Sequence, residues 1–216
     1  TYTWGDKLNE IFAAAQSSIE ENPKAWSDKN LGILYKSMSD QSFADEKFDS
    51  AYLYIQKAIR KDEAYIHTLD NVRILIQMKK EKEALNVLNS IKDTTKNVWE
   101  LSQKAKLFME LKSYQRALDL YNTISKIDSS YNNHENIANL LEKVGQIQLA
   151  RKFLVSDTAR NWRKATSARN LLIHDLKYEN GDKCIESYNK YRDLGISNDP
   201  LGIYRLKIFF LSPLQP

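Results

Sequence analysis

The residues best suited to chemistry are three histidines, His67, His134 and His174, and one cysteine, Cys184. Histidine and cysteine are common zinc ligands and common bases or nucleophiles in hydrolases. Such sites need spacings that bring the side chains together, as in a His-Glu-x-x-His string, and the chain contains no string of this kind. The sequence therefore predicts a non-catalytic protein with no metal site and no cofactor.

Glycine and proline are scarce. Only six of the 216 residues are glycine and four are proline, and neither type occurs between Gly32 and Gly145. The glycines do not occur at the spacing of any glycine-rich phosphate-binding loop, which excludes the usual nucleotide-binding motifs. Sandwiches and barrels need many turns built from these residues. The elements that position any functional residue are therefore predicted to be α-helices.

The charge balance is mildly basic, with 32 Lys and Arg against 28 Asp and Glu and a net charge of +4. The basic residues are spread along the chain, so composition does not favour nucleic acid as the partner. The apolar stretch 11–15 is too short to span a membrane, and a single cysteine forms no internal disulfide. We expect no membrane span and a cytoplasmic protein, either a processed product or a fragment of a longer chain.

The strongest signal is a repeat of 33 residues. Small residues recur at this spacing, with one step of 34, at Ala51, Ala84, Ala117, Ala150 and Cys184. Four residues after each of them stands a larger apolar residue: Ile55, Leu88, Tyr121, Leu154 and Tyr188. An offset of four places both side chains on one face of a helix, with the small residue where a neighbouring helix approaches closely.

A second set of regularly spaced apolar residues precedes the first set in each repeat. Its small or medium residues are Val72, Ala105, Ala138 and Leu172, with larger ones three positions later at Leu75, Phe108 and Leu141. Each unit is thus predicted to contain two helices, which makes the chain all-α with about 11–12 helices in one domain, residues 1–216. We expect a leading half-repeat helix in 1–23, helical pairs in 24–195, and a C-terminal capping helix and tail in 196–216. Thr94-Thr95 and Ser129-Ser130 are predicted to cap the helices that follow them.

Paired helices at this period resemble the tetratricopeptide repeat (TPR) family. The resemblance is carried by the alanine that opens each second helix, by Leu31-Gly32 and Tyr35 in the first helix, and by Pro23, which matches that family's terminal proline. It covers roughly residues 5–195, about four full repeats with half-units at the ends. It implies a right-handed superhelical solenoid of antiparallel helix pairs, whose first helices line a concave groove that binds a peptide or helix of a partner protein without catalysis.

Residues off the buried stripe of the first helices are expected to face this groove. The predicted set is Trp26, Lys29, Ile33, Lys36, Leu69, Arg73, Ile76, Trp99, Lys106, Met109, Asn139, Lys143 and Arg169, together with Ser102, Glu135 and Ile173. Cations outnumber acids in this set and alternate with apolar residues. The expected partner is therefore a protein segment that carries acidic and apolar side chains.

Two other functions stay open. The chain can be a helical-repeat module of a larger enzyme or assembly, such as a bacterial glycosyltransferase or a polysaccharide-assembly protein, or it can self-associate through the apolar residues Tyr204, Ile208, Phe209, Phe210 and Leu211 of its last helix. Nucleic acid is a weaker alternative. It would use the basic residues Lys104, Lys106, Lys112 and Arg116, or Arg151, Lys152, Arg160, Arg163, Lys164 and Arg169, with Trp162 to stack on a base.

Overall fold

The computed structural model of the protein describes residues 4–62, 64–92, 95–131, 134–160, 164–179 and 181–191, and the regular structure in these ranges is entirely helical. A short 3₁₀ turn covers Pro23–Ala25. The α-helices are α1 (Trp4–Glu21), α2 (Asp28–Ala44), α3 (Phe48–Lys61), α4 (Tyr65–Gln77), α5 (Glu81–Ser90), α6 (Val98–Glu110), α7 (Tyr114–Ile127), α8 (His134–Lys143), α9 (Ile147–Arg160), α10 (Lys164–Tyr178) and α11 (Gly181–Tyr191). The all-α prediction is confirmed, and the predicted helix in 196–216 lies outside the described residues.

The turn after each of α2, α4, α6 and α8 has the same backbone conformation. Its left-handed residue recurs every 33 positions, at Glu46 (φ 59°), Lys79 (φ 60°), Lys112 (φ 57°) and Gly145 (φ 79°). In each turn the next amide donates to the carbonyl five residues back at 2.8–2.9 Å, for example from Lys80 to Leu75. This is the hydrogen bond that closes a helix with a left-handed cap. The turns are therefore uniform although only one of them contains glycine.

The predicted repeat columns form the core. Ala51, Ala84, Ala117, Ala150 and Cys184 are all fully buried. Ile55, Leu88, Tyr121 and Leu154 are buried four positions later, and Val72, Ala105, Ala138 and Leu172 are buried on the other helix of each pair. Small side chains at the crossing points let the paired helices approach closely. The single cysteine thus fills a packing position in the alanine column.

The chain divides into two compact units, residues 1–113 (unit 1) and 114–216 (unit 2). In unit 1, α2 packs on α3 and α4 on α5, and in unit 2, α8 packs on α9 and α10 on α11. Consecutive helices joined by such tight turns run antiparallel, so the first helices α2, α4 and α6 of unit 1 are parallel to one another. No helix among the described residues is both long enough and apolar enough to cross a bilayer.

Candidate functional site

A row of polar side chains connects the three first helices of unit 1. Lys36 on α2 lies 3.1 Å from Asp70 on α4, measured between Nζ and Oδ2. Asp70 also accepts a hydrogen bond of 2.8 Å from Arg73 one turn later, and Arg73 donates to Gln103 on α6 at 2.7 Å. We call Lys36, Asp70, Arg73 and Gln103 the polar row. It fixes α2, α4 and α6 side by side through side chains at their common face.

Acidic partners neutralise the cations of the polar row. Besides Asp70, Lys36 contacts both carboxylate oxygens of Asp40 at 2.6 Å. Partial burial of the Lys36 ammonium opposes its ionisation, but hydrogen bonds and charges from Asp40 and Asp70 outweigh burial and raise its pKa above the ordinary value. Lys36 and Arg73 therefore carry their charge in internal ion pairs, which weakens the sequence argument that this face selects acidic segments.

An apolar row lies one helical turn before the polar row. Ile33 on α2 and Trp99 on α6 are each 53% exposed, and the half-buried Ile66 stands between them on α4. Because the first helices are parallel, three residues spaced by 33 positions lie on the same side of the polar row. Ile66 was not among the predicted groove residues, although the exact spacing from Ile33 to Trp99 is a signal that identifies it.

Two of the predicted groove residues are wrong. Leu69 is fully buried and Ser102 is 1% exposed, so both belong to the core. The error arises because the side chains of adjacent residues on a helix point in directions about 100° apart. Asp70, four residues after Ile66, lies on the same face as Ile66, whereas the neighbouring Leu69 points into the core. Asp70 and Gln103 were missed for this reason.

Trp26 lies before the first helix rather than on it. Its indole nitrogen donates to the Ser18 hydroxyl on α1 at 3.3 Å, and the next residue, Ser27, caps α2 by accepting from the Asn30 amide. Trp26 is thus used where α1 meets the start of the repeats.

The other predicted groove residues are accessible to differing degrees. Lys29 and Lys106 are exposed on α2 and α6, while Ile76 and Met109 are half-buried in the last turns of α4 and α6. In unit 2, the exposed residues are Asn139, Lys143, Glu135, Arg169 and Ile173 on α8 and α10.

In unit 2, a buried serine and a buried aspartate are in contact with a half-buried histidine. The Ser167 hydroxyl donates to Asp157 at 2.5 Å, and Nδ1 of His134 contacts the other oxygen of the same carboxylate. Nucleophile activation requires the histidine between the serine and the acid. Here the acid lies between the other two, so the arrangement joins α8, α9 and α10 and does not activate Ser167.

A second buried carboxylate has a similar structural use. Asp175 is fully buried and accepts from Arg151 at 2.8 Å and from Ser187 at 2.6 Å. Burial of the Arg151 guanidinium opposes its charge, but the hydrogen bond and charge of Asp175 dominate and raise the Arg151 pKa. Three helices, α9, α10 and α11, are tied together at this point.

Two of the basic residues considered for nucleic acid are engaged within the protein. Lys104 is 2% exposed and donates to the Ile91 carbonyl at 2.6 Å, and Arg151 is paired with Asp175. The side chains of Arg160, Arg163 and Lys164, and Trp162 as a whole, lie outside the described residues.

The remaining candidates for chemistry are apart. His67 and His174 are buried in different units, and Nε2 of His174 lies 3.1 Å from the Ile147 carbonyl. Within the part of the chain that the structure describes, no group of three or more His, Cys, Asp or Glu side chains is placed to hold a metal ion.

Comparison with known proteins identifies the fold. No protein-family model matches the chain, and no curated protein matches it in sequence. Among solved structures, YrrB, a TPR protein with an unusual peptide-binding site, matches with a TM-score of 0.59 at 16% identity, over 91% of this chain and 97% of its own. A TPR protein from Parabacteroides merdae matches with a TM-score of 0.63 at 13% identity, over 95% and 80%.

PilF of Pseudomonas aeruginosa also matches, with a TM-score of 0.55 at 13% identity over 94% of this chain and 88% of its own. At such identities the likeness to these proteins concerns the fold. The chain therefore has the tetratricopeptide-repeat fold, an all-α helical-repeat solenoid, as the 33-residue period of its small residues predicts.

Proposed function

We propose that the protein is a non-catalytic interaction scaffold that holds a peptide segment or a helix of another protein on the α2–α4–α6 face of unit 1. The observation that carries the proposal is the polar row, which joins the three first helices by contacts of 2.7–3.1 Å. A face fixed in this way needs no ordering when a partner binds. Only the partner loses conformational freedom, which favours affinity for a flexible segment.

The apolar row supplies the anchors for such a segment. Ile33 and Trp99 leave about half of their surface in water, and exposed aromatic side chains contribute a large share of the binding energy in protein interfaces. Ile66 between them keeps the row continuous. A partner would therefore place apolar side chains along Ile33, Ile66 and Trp99.

Charge adds a second, weaker selection. Lys36 and Arg73 are paired within the face, whereas Lys29 and Lys106 are exposed on the outer first helices. Acidic side chains of the partner would meet these two lysines, which lie at opposite sides of the apolar row. Exposed pairs of this kind influence association rate and specificity more than affinity.

The groove residues predicted in unit 2 lie outside the α2–α4–α6 face and stay predictions. Asn139, Lys143 and Arg169 are exposed on the first helices α8 and α10. YrrB supports the general idea, because it has the same fold and is a TPR protein with a peptide-binding site.

The test uses peptides selected from a random library displayed on phage, with the full chain as bait. Affinities of the selected peptides are measured by fluorescence polarisation for the wild type and for Ile33→Asp and Trp99→Ala. Each substitution removes one exposed apolar anchor of the row, and we expect affinity to fall at least tenfold. The double substitution Arg73→Glu with Lys106→Glu should lower the affinity for acidic peptides in particular.

Leu53→Asp is the matched control. Leu53 is 55% exposed, like Ile33, but it lies on the second helix α3, so this change should leave affinity within twofold of the wild type. Circular dichroism at 222 nm verifies that all variants keep their helicity. If Ile33→Asp and Leu53→Asp behave alike, the binding face is not formed by the first helices.

A further inference from the structure

A cleft of about 230 Å³ lies in unit 2 between α8, α9 and α10. Its described lining consists of Glu135, Ala138, Asn139, Glu142, Leu154, Asn170 and Ile173. We propose that this cleft binds the lysine or arginine side chain of an extended peptide segment. The inference concerns a different unit from the α2–α4–α6 face and does not depend on that face binding anything.

Two facing rows of side chains form the walls. Glu135, Asn139 and Glu142 follow one another at intervals of four and three on α8, so they lie along one face of that helix. Asn170 and Ile173 occupy the corresponding face of α10 at an interval of three. The walls thus present two carboxylates and two primary amides, and no described residue of the lining is cationic.

At one end of the cleft, a lysine of the protein itself pairs with a lining carboxylate. Lys177, one turn beyond Ile173 on α10, places its Nζ 3.0 Å from Oε2 of Glu142. The hydrogen bonds to Tyr178 and Glu142 raise the pKa of Lys177 above its ordinary value, so this ammonium is held in its charged form. The protein's own lysine therefore closes the Glu142 end.

The opposite end of the cleft carries the other carboxylate, that of Glu135. Glu135 lies in the first turn of α8, two turns before Glu142, and its side chain is exposed. Within the described residues Glu135 has no ion-pair partner. An incoming ammonium or guanidinium would find there the carboxylate that Lys177 does not reach.

The floor and the size of the cleft select a side chain rather than a free small molecule. Ala138 and Leu154 are buried at the bottom, and Ile173 is 45% exposed at the wall, which suits the methylene stem of lysine or arginine. Sites for drug-sized ligands are typically about 300–1,000 Å³, so this cleft is smaller and matches one long side chain.

The amides indicate that the side chain arrives on a peptide. A primary amide carries one acceptor and two donors, the complement of a peptide group. The amides of Asn139 and Asn170 make no hydrogen bond to another side chain in the described ranges. They flank the cleft from two helices and can bind the main chain on either side of the basic residue.

Cations near the cleft limit its strength. Lys143 and Arg169 are sequence neighbours of Glu142 and Asn170, and both are exposed. Neither lines the cleft, so they reduce its negative potential without blocking it. We accordingly expect weak binding that declines as salt is added.

The test is an NMR titration of the full ¹⁵N-labelled chain. The probes are acetyl-Gly-Ala-Xaa-Ala-Gly-amide peptides with Lys, Arg, Gln or Glu at Xaa, and butylammonium as the free cation. The Lys and Arg peptides should shift the side-chain amide signals of Asn139 and Asn170 to saturation at concentrations where the Gln and Glu peptides cause at most one fifth of that shift. Butylammonium should bind at least fivefold more weakly than the Lys peptide, because it lacks the main chain.

Two variants should move the affinity in opposite directions. Glu135→Gln should lower the affinity for the Lys peptide about fivefold, as expected for loss of one exposed ion pair. Lys177→Gln should tighten it by a similar factor, because it releases Glu142. Glu83→Gln is the matched control, since Glu83 is also exposed in the first turn of a helix, in unit 1, and should change nothing.

Each other outcome overturns the inference. Equal shifts from the Lys, Gln and Glu peptides would exclude recognition of charge. Equal binding of butylammonium and the Lys peptide would exclude recognition of the peptide. If Glu135→Gln and Lys177→Gln both left the affinity unchanged while the amide spectrum stayed that of the folded chain, the cleft would not be the site.

Discussion

Replacing Asp70 by asparagine should destabilise unit 1 by about 1–2 kcal/mol. Asp70 joins α2 to α4 through two contacts, 3.1 Å to Lys36 and 2.8 Å to Arg73. Its side chain is only 13% exposed, whereas that of its cationic partner Arg73 is 36% exposed. Fully exposed pairs contribute about 0.2–1 kcal/mol, and breaking a fully buried pair costs about 3–5 kcal/mol.

The expected value lies between these limits for a structural reason. After the substitution Lys36 keeps Asp40, at 2.6 Å, and Arg73 keeps Gln103, at 2.7 Å. Neither cation is left without a partner, which removes the largest part of the penalty for breaking a buried pair. What is lost is the charge that connects the two helices.

The assay is urea unfolding followed by circular dichroism at 222 nm, with hydrogen exchange of α4 peptides to localise the loss. Asp40→Asn is the matched control, because Asp40 also pairs with Lys36 but is 61% exposed. Its cost should be at most about 0.5 kcal/mol. If the two substitutions cost the same within error, the polar row does not hold the first helices together and the reasoning fails.

Three further substitutions test the fold. Lys79→Gly should stabilise by about 0.5 kcal/mol, measured from the urea midpoint, because it relieves the left-handed conformation at φ 60°. Gly32→Ala should destabilise by about 1 kcal/mol in the same assay, because the new Cβ would lie 2.9 Å from a Cβ at the end of α3. The Lys183 hydrogen bond lowers the pKa of Glu179 against the effect of burial. The stability that ionised Glu179 contributes is therefore fully present above its ordinary pKa of 4.5 and is lost as the pH falls through the lower pKa of the folded state. In the Glu179→Gln variant, the urea midpoint should therefore decrease less steeply as the solution is made acidic.

The fold was predictable because its signal is repeated. A single alanine such as Ala84 has no predictive value, but five small residues in register imply one repeated packing position, and all five are buried. The caps were less predictable. Asn97, not Thr95, caps α6 by accepting from the amides of Trp99 and Glu100, and Thr95 instead accepts from the Asn97 amide. Short polar side chains next to each other compete for the same role, and only the backbone conformation decides between them.

The accessibility of several residues on the first helices was predictable, but the pairing of their charges was not. Ile33, Trp99 and Lys106 are accessible on first helices as expected. Counting cations failed, because Asp70 turns inward to Lys36 and Arg73. The sequence shows how many charged residues a helix face has. Whether two of them form an ion pair between helices depends on the distance between side chains of different repeats, which the pattern of a single helix does not give.

The uniform turn explains why the face formed by the first helices follows the 33-residue period. Every first helix of the described repeats from α2 to α8 ends in a left-handed residue 33 positions from the last, so residues spaced by 33 start from the same height and the same rotation on their helices. In unit 1, Ile33, Ile66 and Trp99 differ in size, yet they fall in one row because the turns set their positions. The face formed by the first helices can therefore change its side chains without a change in the turns or in the alanine core that support it.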